Sequence, residues 1–104
     1  MEEPFVAAAE ASELAPGQMK TLELEGRRIL LANAGGSYYA VDEMCSHEDY
    51  SLALGCIKGR LIKCSLHGSY FDLATGEPTE EPASEPIRTY PVRVEDGRVW
   101  IDPS

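Results

Sequence analysis

Basic residues are scarce in this chain. Nine Lys and Arg stand against eighteen Asp and Glu, leaving a net charge of −9 over 104 residues. Nucleic-acid backbones are held by clustered Lys and Arg, so the composition argues against a nucleic-acid partner. No stretch approaches the roughly 18 apolar residues needed to cross a bilayer. The first residues, Met1-Glu2-Glu3-Pro4, are acidic where a targeting segment would be basic, and no apolar run follows them. A cytoplasmic protein with no membrane partner is therefore expected. Three cysteines cannot form a closed set of disulfides. In a reducing compartment, cysteines near histidines more often bind metal or do chemistry. No long helical periodicity, internal repeat or low-complexity tract is visible either. A chain of this length fits a single domain, and a monomer is expected. So small a core is often reinforced by a metal centre or disulfides.

What is present reads as short β-strands separated by turn signals every eight to twelve residues, the texture of an all-β barrel or sandwich. Phe5–Ala9 is expected as a first strand, followed by a short helical turn at Ser12-Glu13-Leu14 and a loop at Pro16-Gly17. Met19, Leu22 and Leu24 fall in a second strand that turns at Glu25-Gly26. Ile29–Ala32 and Tyr38–Val41 are expected as the third and fourth, joined by a loop at Asn33-Ala34-Gly35-Gly36. Leu61-Ile62 and Tyr70-Phe71 are β-like. Pro78–Pro86 is an acidic, proline-bounded loop with Glu80, Glu81 and Glu85. Tyr90, Val92 and Val94 alternate, Asp96-Gly97 makes a hairpin turn, and Val99 and Ile101 alternate on the return. Pro91 predicts an edge strand there. Both ends of the chain would then build an antiparallel scaffold, residues 1–42 and 84–104, with a loop-rich insertion at about 43–83.

The chemistry is concentrated in that insertion. The chain has two histidines, and each follows a cysteine closely: Cys45-Ser46-His47 and Cys64-Ser65-Leu66-His67, with sixteen residues between His47 and Cys64. Three readings compete. Zinc accepts two thiolates and two imidazoles, but its usual frame pairs like with like, and here each segment mixes them. A cysteine nucleophile with a histidine base needs only one such pair. A 2Fe–2S cluster in which two histidines replace two cysteines on one iron needs different ligands at its two metals. Two segments, each giving one thiolate and one imidazole, meet that need symmetrically.

Cys-x-His, sixteen residues, then Cys-x-x-His-Gly-Ser resembles the Rieske motif. Gly55–Cys64 resembles the glycine-containing approach to the second ligand segment, and Phe71-Asp72-Leu73-Ala74-Thr75-Gly76 the strand and turn that follow it. Pro82 resembles the proline that covers the cluster in this family. The similarity spans roughly residues 20 to 103, and the chain is most similar to the small ferredoxins of bacterial aromatic-ring dioxygenase systems. The resemblance implies a Rieske fold and one Rieske-type 2Fe–2S cluster. Cys45 and Cys64 would bind the inner iron, and His47 and His67 the outer one. It also implies a soluble one-electron carrier whose protein partners are a flavoprotein ferredoxin reductase and a terminal Rieske oxygenase. The chain itself would not be an enzyme: both histidines are used at the cluster, leaving none for a two-histidine iron site. A structural zinc or partner-binding module, and the Rieske-like small subunit of a nitrite reductase, are the alternatives. Around the histidines, Glu48, Asp49, Glu80, Glu81 and Glu85 form a candidate acidic docking rim.

This sequence departs from the respiratory members of the family. Glu48-Asp49 and Leu66 stand where those carry disulfide-forming cysteines. Phe71 stands where they place a tyrosine hydroxyl near a cluster thiolate. Ser69 matches a hydroxyl that can reach a bridging sulfide. Cys56, without a partner, is expected as a small core residue. Hydroxyl donors to cluster sulfurs raise the potential. With Phe71 supplying none and two carboxylates beside His47, protein-film voltammetry at neutral pH should give a midpoint in the lower part of the range of roughly −150 to +300 mV. A midpoint well above zero would contradict this.

Overall fold

The computed structural model describes residues 5–44, 51–63, 70–79 and 86–103. Ten strands are present: β1 (Val6–Glu10), β2 (Met19–Leu24), β3 (Arg27–Ala34), β4 (Ser37–Asp42), β5 (Cys56–Lys58), β6 (Leu61–Lys63), β7 (Tyr70–Asp72), β8 (Thr89–Tyr90), β9 (Val92–Glu95) and β10 (Arg98–Ile101). Two 3₁₀ turns, Ala11–Glu13 and Leu52–Leu54, are the helical pieces among the described residues. The strands form three antiparallel sheets, ordered β1-β10-β9, β2-β3-β4-β8 and β5-β6-β7. The all-β expectation holds.

The second sheet lies between two hydrophobic cores, and β3 feeds both. Successive side chains of a strand point to opposite faces. On one face Ile29 and Leu31 pack with Leu14, Ala40, Tyr90, Val99 and Ile101, which ties the second sheet to the first. On the other, Leu30 and Ala32 pack with Val41, Leu52, Ile62, Phe71, Leu73 and Ile87, which ties it to the third. Ile29 through Ala32 are fully buried. Each large aliphatic chain so buried contributes about 1.5–3 kcal/mol from water exclusion.

The turns follow local chemistry. Asp96 and Gly97 both take positive φ, 54° and 74°, the conformation a two-residue hairpin requires. Pro91 separates β8 from β9, and the chain changes sheets there: β8 is an edge of the second sheet and β9 an edge of the first. That agrees with the edge position expected from a residue lacking an N–H.

Several expected boundaries move. The first strand runs one residue later than Phe5–Ala9. The third is longer than Ile29–Ala32, because Asn33 and Ala34 continue it, paired with Tyr38 and Ser37. The turn is thus Gly35-Gly36 alone. Asn33 sits buried in a strand because its side chain is satisfied: Nδ2 donates to the Leu14 carbonyl at 2.8 Å, and Oδ1 accepts from Gly36 N at 2.8 Å. β5 was not anticipated from the sequence. It also corrects the expectation for Cys56, which is exposed, not a core residue. In this three-residue strand Ile57 turns toward the core, and the alternation sends Cys56 and Lys58 outward.

β4 and β8 are joined by side chains as well as backbone. The Tyr90 hydroxyl donates to Asp42 Oδ1 at 2.5 Å, and Tyr90 is 5% exposed. Burial, reinforced by the Asp42 carboxylate, pushes the phenol up to about 12. Below pH 10 the phenol is protonated in both folded and unfolded chains, and its contribution to stability is constant. Between 10 and about 12 only the unfolded chain releases the proton, so stability falls as pH rises, at a limiting ~1.4 kcal/mol per pH unit. Denaturation midpoints should fall less steeply above pH 10 in Tyr90→Phe than in the parent; equal slopes would contradict the coupling.

Candidate metal centre

Cys45, His47, Cys64, His67, Ser69 and Pro82 lie outside the described residues. Their flanks are described, and those flanks define the site's foundations. Residues 45–50 lie between Met44 and Ser51, which form an antiparallel bridge. Leu52 N donates to the Glu43 carbonyl at 2.6 Å and closes the same stem one residue further out. Residues 64–69 lie between Lys63 and Tyr70, an antiparallel pair of the β6–β7 hairpin. The Lys63 ammonium stands 6.0 Å from the centroid of the Tyr70 ring across that stem. Each cysteine–histidine segment is thus six residues long and closed by a β-type pair.

The two stems touch. Gly55 follows the 3₁₀ turn Leu52–Leu54 and lies against the backbone of Lys63, so closely that a Cβ built there would overlap the Lys63 carbonyl oxygen. Leu52, on the exit side of the first segment, is fully buried with Ile62 and Phe71 from the second stem. Phe71 itself is fully buried in that core.

The third segment, 80–85, which contains Pro82, starts from the same place. Phe71 bridges Pro78, and Thr79 N donates to the Tyr70 carbonyl at 2.8 Å. Its far end is held by Ile87 N donating to the Gly76 carbonyl at 2.8 Å. Arg60 fastens the turn that follows β7. Its Nε and Nη2 donate to Asp72 Oδ1 and Oδ2 at 3.0 and 2.8 Å. The hydrogen bonds from that guanidinium hold the Asp72 carboxyl below the usual carboxylate range. Asp72 Oδ1 also accepts from Ala74 N at 2.8 Å.

The structure therefore brings together the stems of all three segments that carry the expected site residues. The donor set on two of them, one thiolate and one imidazole each, fits a 2Fe–2S cluster with mixed ligation. Glu43, Ser51 and Gly55 belong to this framework and were not singled out by sequence. Glu43 reads there as one more acidic residue, Ser51 as loop, and Gly55 only as part of a resembling stretch.

Comparison with known proteins points to the same kind of centre. Residues 4–91 match the family model described as the Rieske [2Fe–2S] domain. The chain belongs to the Rieske [2Fe–2S] family. It is 35% identical over 98 residues to the ferredoxin component of the naphthalene 1,2-dioxygenase system of Pseudomonas putida, covering 94% of each chain. Its fold is similar to the ferredoxin of carbazole 1,9a-dioxygenase from Nocardioides aromaticivorans, with a TM-score of 0.92, 31% identity and coverage of 96% and 98% of the two chains. It is also similar to a chain in a complex of reduced oxygenase and oxidized ferredoxin of carbazole 1,9a-dioxygenase, with a TM-score of 0.90, 27% identity and coverage of 97% and 94%.

The Gly55 contact is open to a direct test. Overpacking of this kind typically costs ~1–3 kcal/mol. Gly55→Ala should therefore lower stability by about that amount and reduce the iron bound per chain, measured by denaturation and iron assay. Wild-type values for both would show that the stems do not depend on this contact.

Proposed function

We propose that this chain is a soluble one-electron carrier, taking electrons from a flavoprotein ferredoxin reductase and delivering them to a terminal Rieske non-haem iron oxygenase. One observation carries the proposal: near-complete mutual coverage with a stand-alone dioxygenase ferredoxin component, 94% of each chain. The likeness to a chain within an oxygenase–ferredoxin complex favours an oxygenase as one partner. A 2Fe–2S cluster, when bound, supplies a centre that takes up and releases one electron.

The chain's own residues would then divide the work. Cys45 and Cys64 would hold the inner iron, and His47 and His67 the outer one. Ser69 would offer its hydroxyl to a bridging sulfide, and Pro82 would cover the cluster. The cluster-binding subdomain would run from about 43 to 83, on a scaffold of 1–42 and 84–104. The outer edges of the two imidazoles would face the partner. Glu48, Asp49, Glu80, Glu81 and Glu85 would ring that face and steer it toward a basic surface, an attraction that weakens with salt. The carrier would act as a monomer in the cytoplasm.

The purified protein should be red-brown, and the dithionite-reduced sample should show the low-average-g resonance of a Rieske centre. Addition of the chain to a dioxygenase ferredoxin reductase and its oxygenase should support electron transfer between them. A colourless protein containing zinc, or a coloured one that no such reductase reduces, would overturn the reading.

A further inference from the structure

Glu43 and Asn33 are the buried polar residues among those described. Asn33 is explained by the turn it holds. Glu43 is not explained by the second sheet alone. Its side chain is 6% exposed, while that of its partner Arg28 is 66% exposed. A buried carboxylate is costly unless it is paired and hydrogen-bonded. Here it has three donors. Arg28 Nε donates to Oε1 at 3.0 Å and Arg28 Nη2 to Oε2 at 3.3 Å. The Ser51 hydroxyl donates to Oε2 at 2.6 Å.

The placement of those donors matters. Glu43 stands two residues before Cys45, and Ser51 directly follows residue 50. The Glu43–Ser51 bond therefore joins the two ends of the first donor segment side chain to side chain. It runs in parallel with the backbone bond from Leu52 N to the Glu43 carbonyl. Glu43 N in turn donates to the Arg28 carbonyl at 3.2 Å, so the clamp is anchored to β3. The Ser51 hydroxyl is used twice, because it also accepts from Ala53 N at 3.2 Å and caps the 3₁₀ turn that leads to Gly55. The chain of contacts runs from Arg28 through Glu43 and Ser51 to the turn packed against the second stem.

We infer that Glu43 and Ser51 are positioning residues for the metal centre: their hydrogen bond sets the span between the ends of segment 45–50, and so the placement of Cys45 and His47. This rests on the cluster reading above. Arg28 supplies the counter-charge that lets the carboxylate remain buried. Groups that orient metal ligands commonly change metal retention and spectra when removed. A purely structural staple would change folding stability alone.

The test uses the cluster-loaded protein and compares the parent with Ser51→Ala, Ser51→Thr and Glu43→Gln. Three properties are read: the resonance of the reduced centre, the rate of iron loss to a chelator, and the thermal midpoint. Ser51→Ala should shift or broaden the resonance and speed iron loss about tenfold. Ser51→Thr, which keeps the hydroxyl, should restore both. Should Ser51→Ala fail to accumulate, Glu43→Gln, similar in size but uncharged, should show the same two changes. Parent-like resonance and iron-loss rate in the variant that accumulates, even with a lower thermal midpoint, would overturn the inference. So would failure of Ser51→Thr to restore them. A parent without a Rieske resonance would instead overturn the cluster reading.

Discussion

The fold depends on a single strand being dry on both sides. β3 gives Ile29 and Leu31 to one core and Leu30 and Ala32 to the other, and all four are fully buried. Neither outer sheet is large, with three strands each, and a sheet that small needs a packed face to persist. β3 provides that face to both through the second sheet. A polar side chain at any of these four positions would be unpaired in one core or the other, on the strand that supports both layers.

On the side of β3 that carries the donor segments, rigidity comes from short-range closure. Each segment has an antiparallel pair at its base, and the two bases are joined by the close approach of Gly55 to Lys63 and by the burial of Leu52 with Ile62 and Phe71. Six-residue segments on joined stems would hold ligands at lower entropic cost than long free loops, because the sheet fixes their two ends. This suits a centre whose two metals need donors from separate parts of the chain.

Much of this was legible in the sequence, for identifiable reasons. Strands with alternating or continuous apolar residues, such as β2, β3 and the β9–β10 hairpin, announce themselves, and Asp96-Gly97 marks its turn. β5 does not: Cys56-Ile57-Lys58 has one inward side chain, too few to show a period, and the outward direction of Cys56 was lost with it. Asn33 looked like loop because it favours turns, yet its amide serves the turn from within the strand. The spacing of Cys45, His47, Cys64 and His67 pointed to the metal chemistry, since few arrangements mix thiolate and imidazole in this way. Glu43 could not be read. A carboxylate in an acidic chain looks solvated until the structure places Arg28 and Ser51 around it.

The change of sheets at Pro91 has a consequence for orientation. By sending the last hairpin to the first sheet, it pairs β10 with β1, so that Val6 and Ile101 lie side by side. That sheet packs on one face of the second sheet, and β5-β6-β7 packs on the other. A tether attached near either end of the chain therefore grips the layer opposite the donor stems. Fixed to an electrode or fused to another protein by such a tether, the domain would turn its metal-bearing layer outward, toward whatever it is to exchange electrons with.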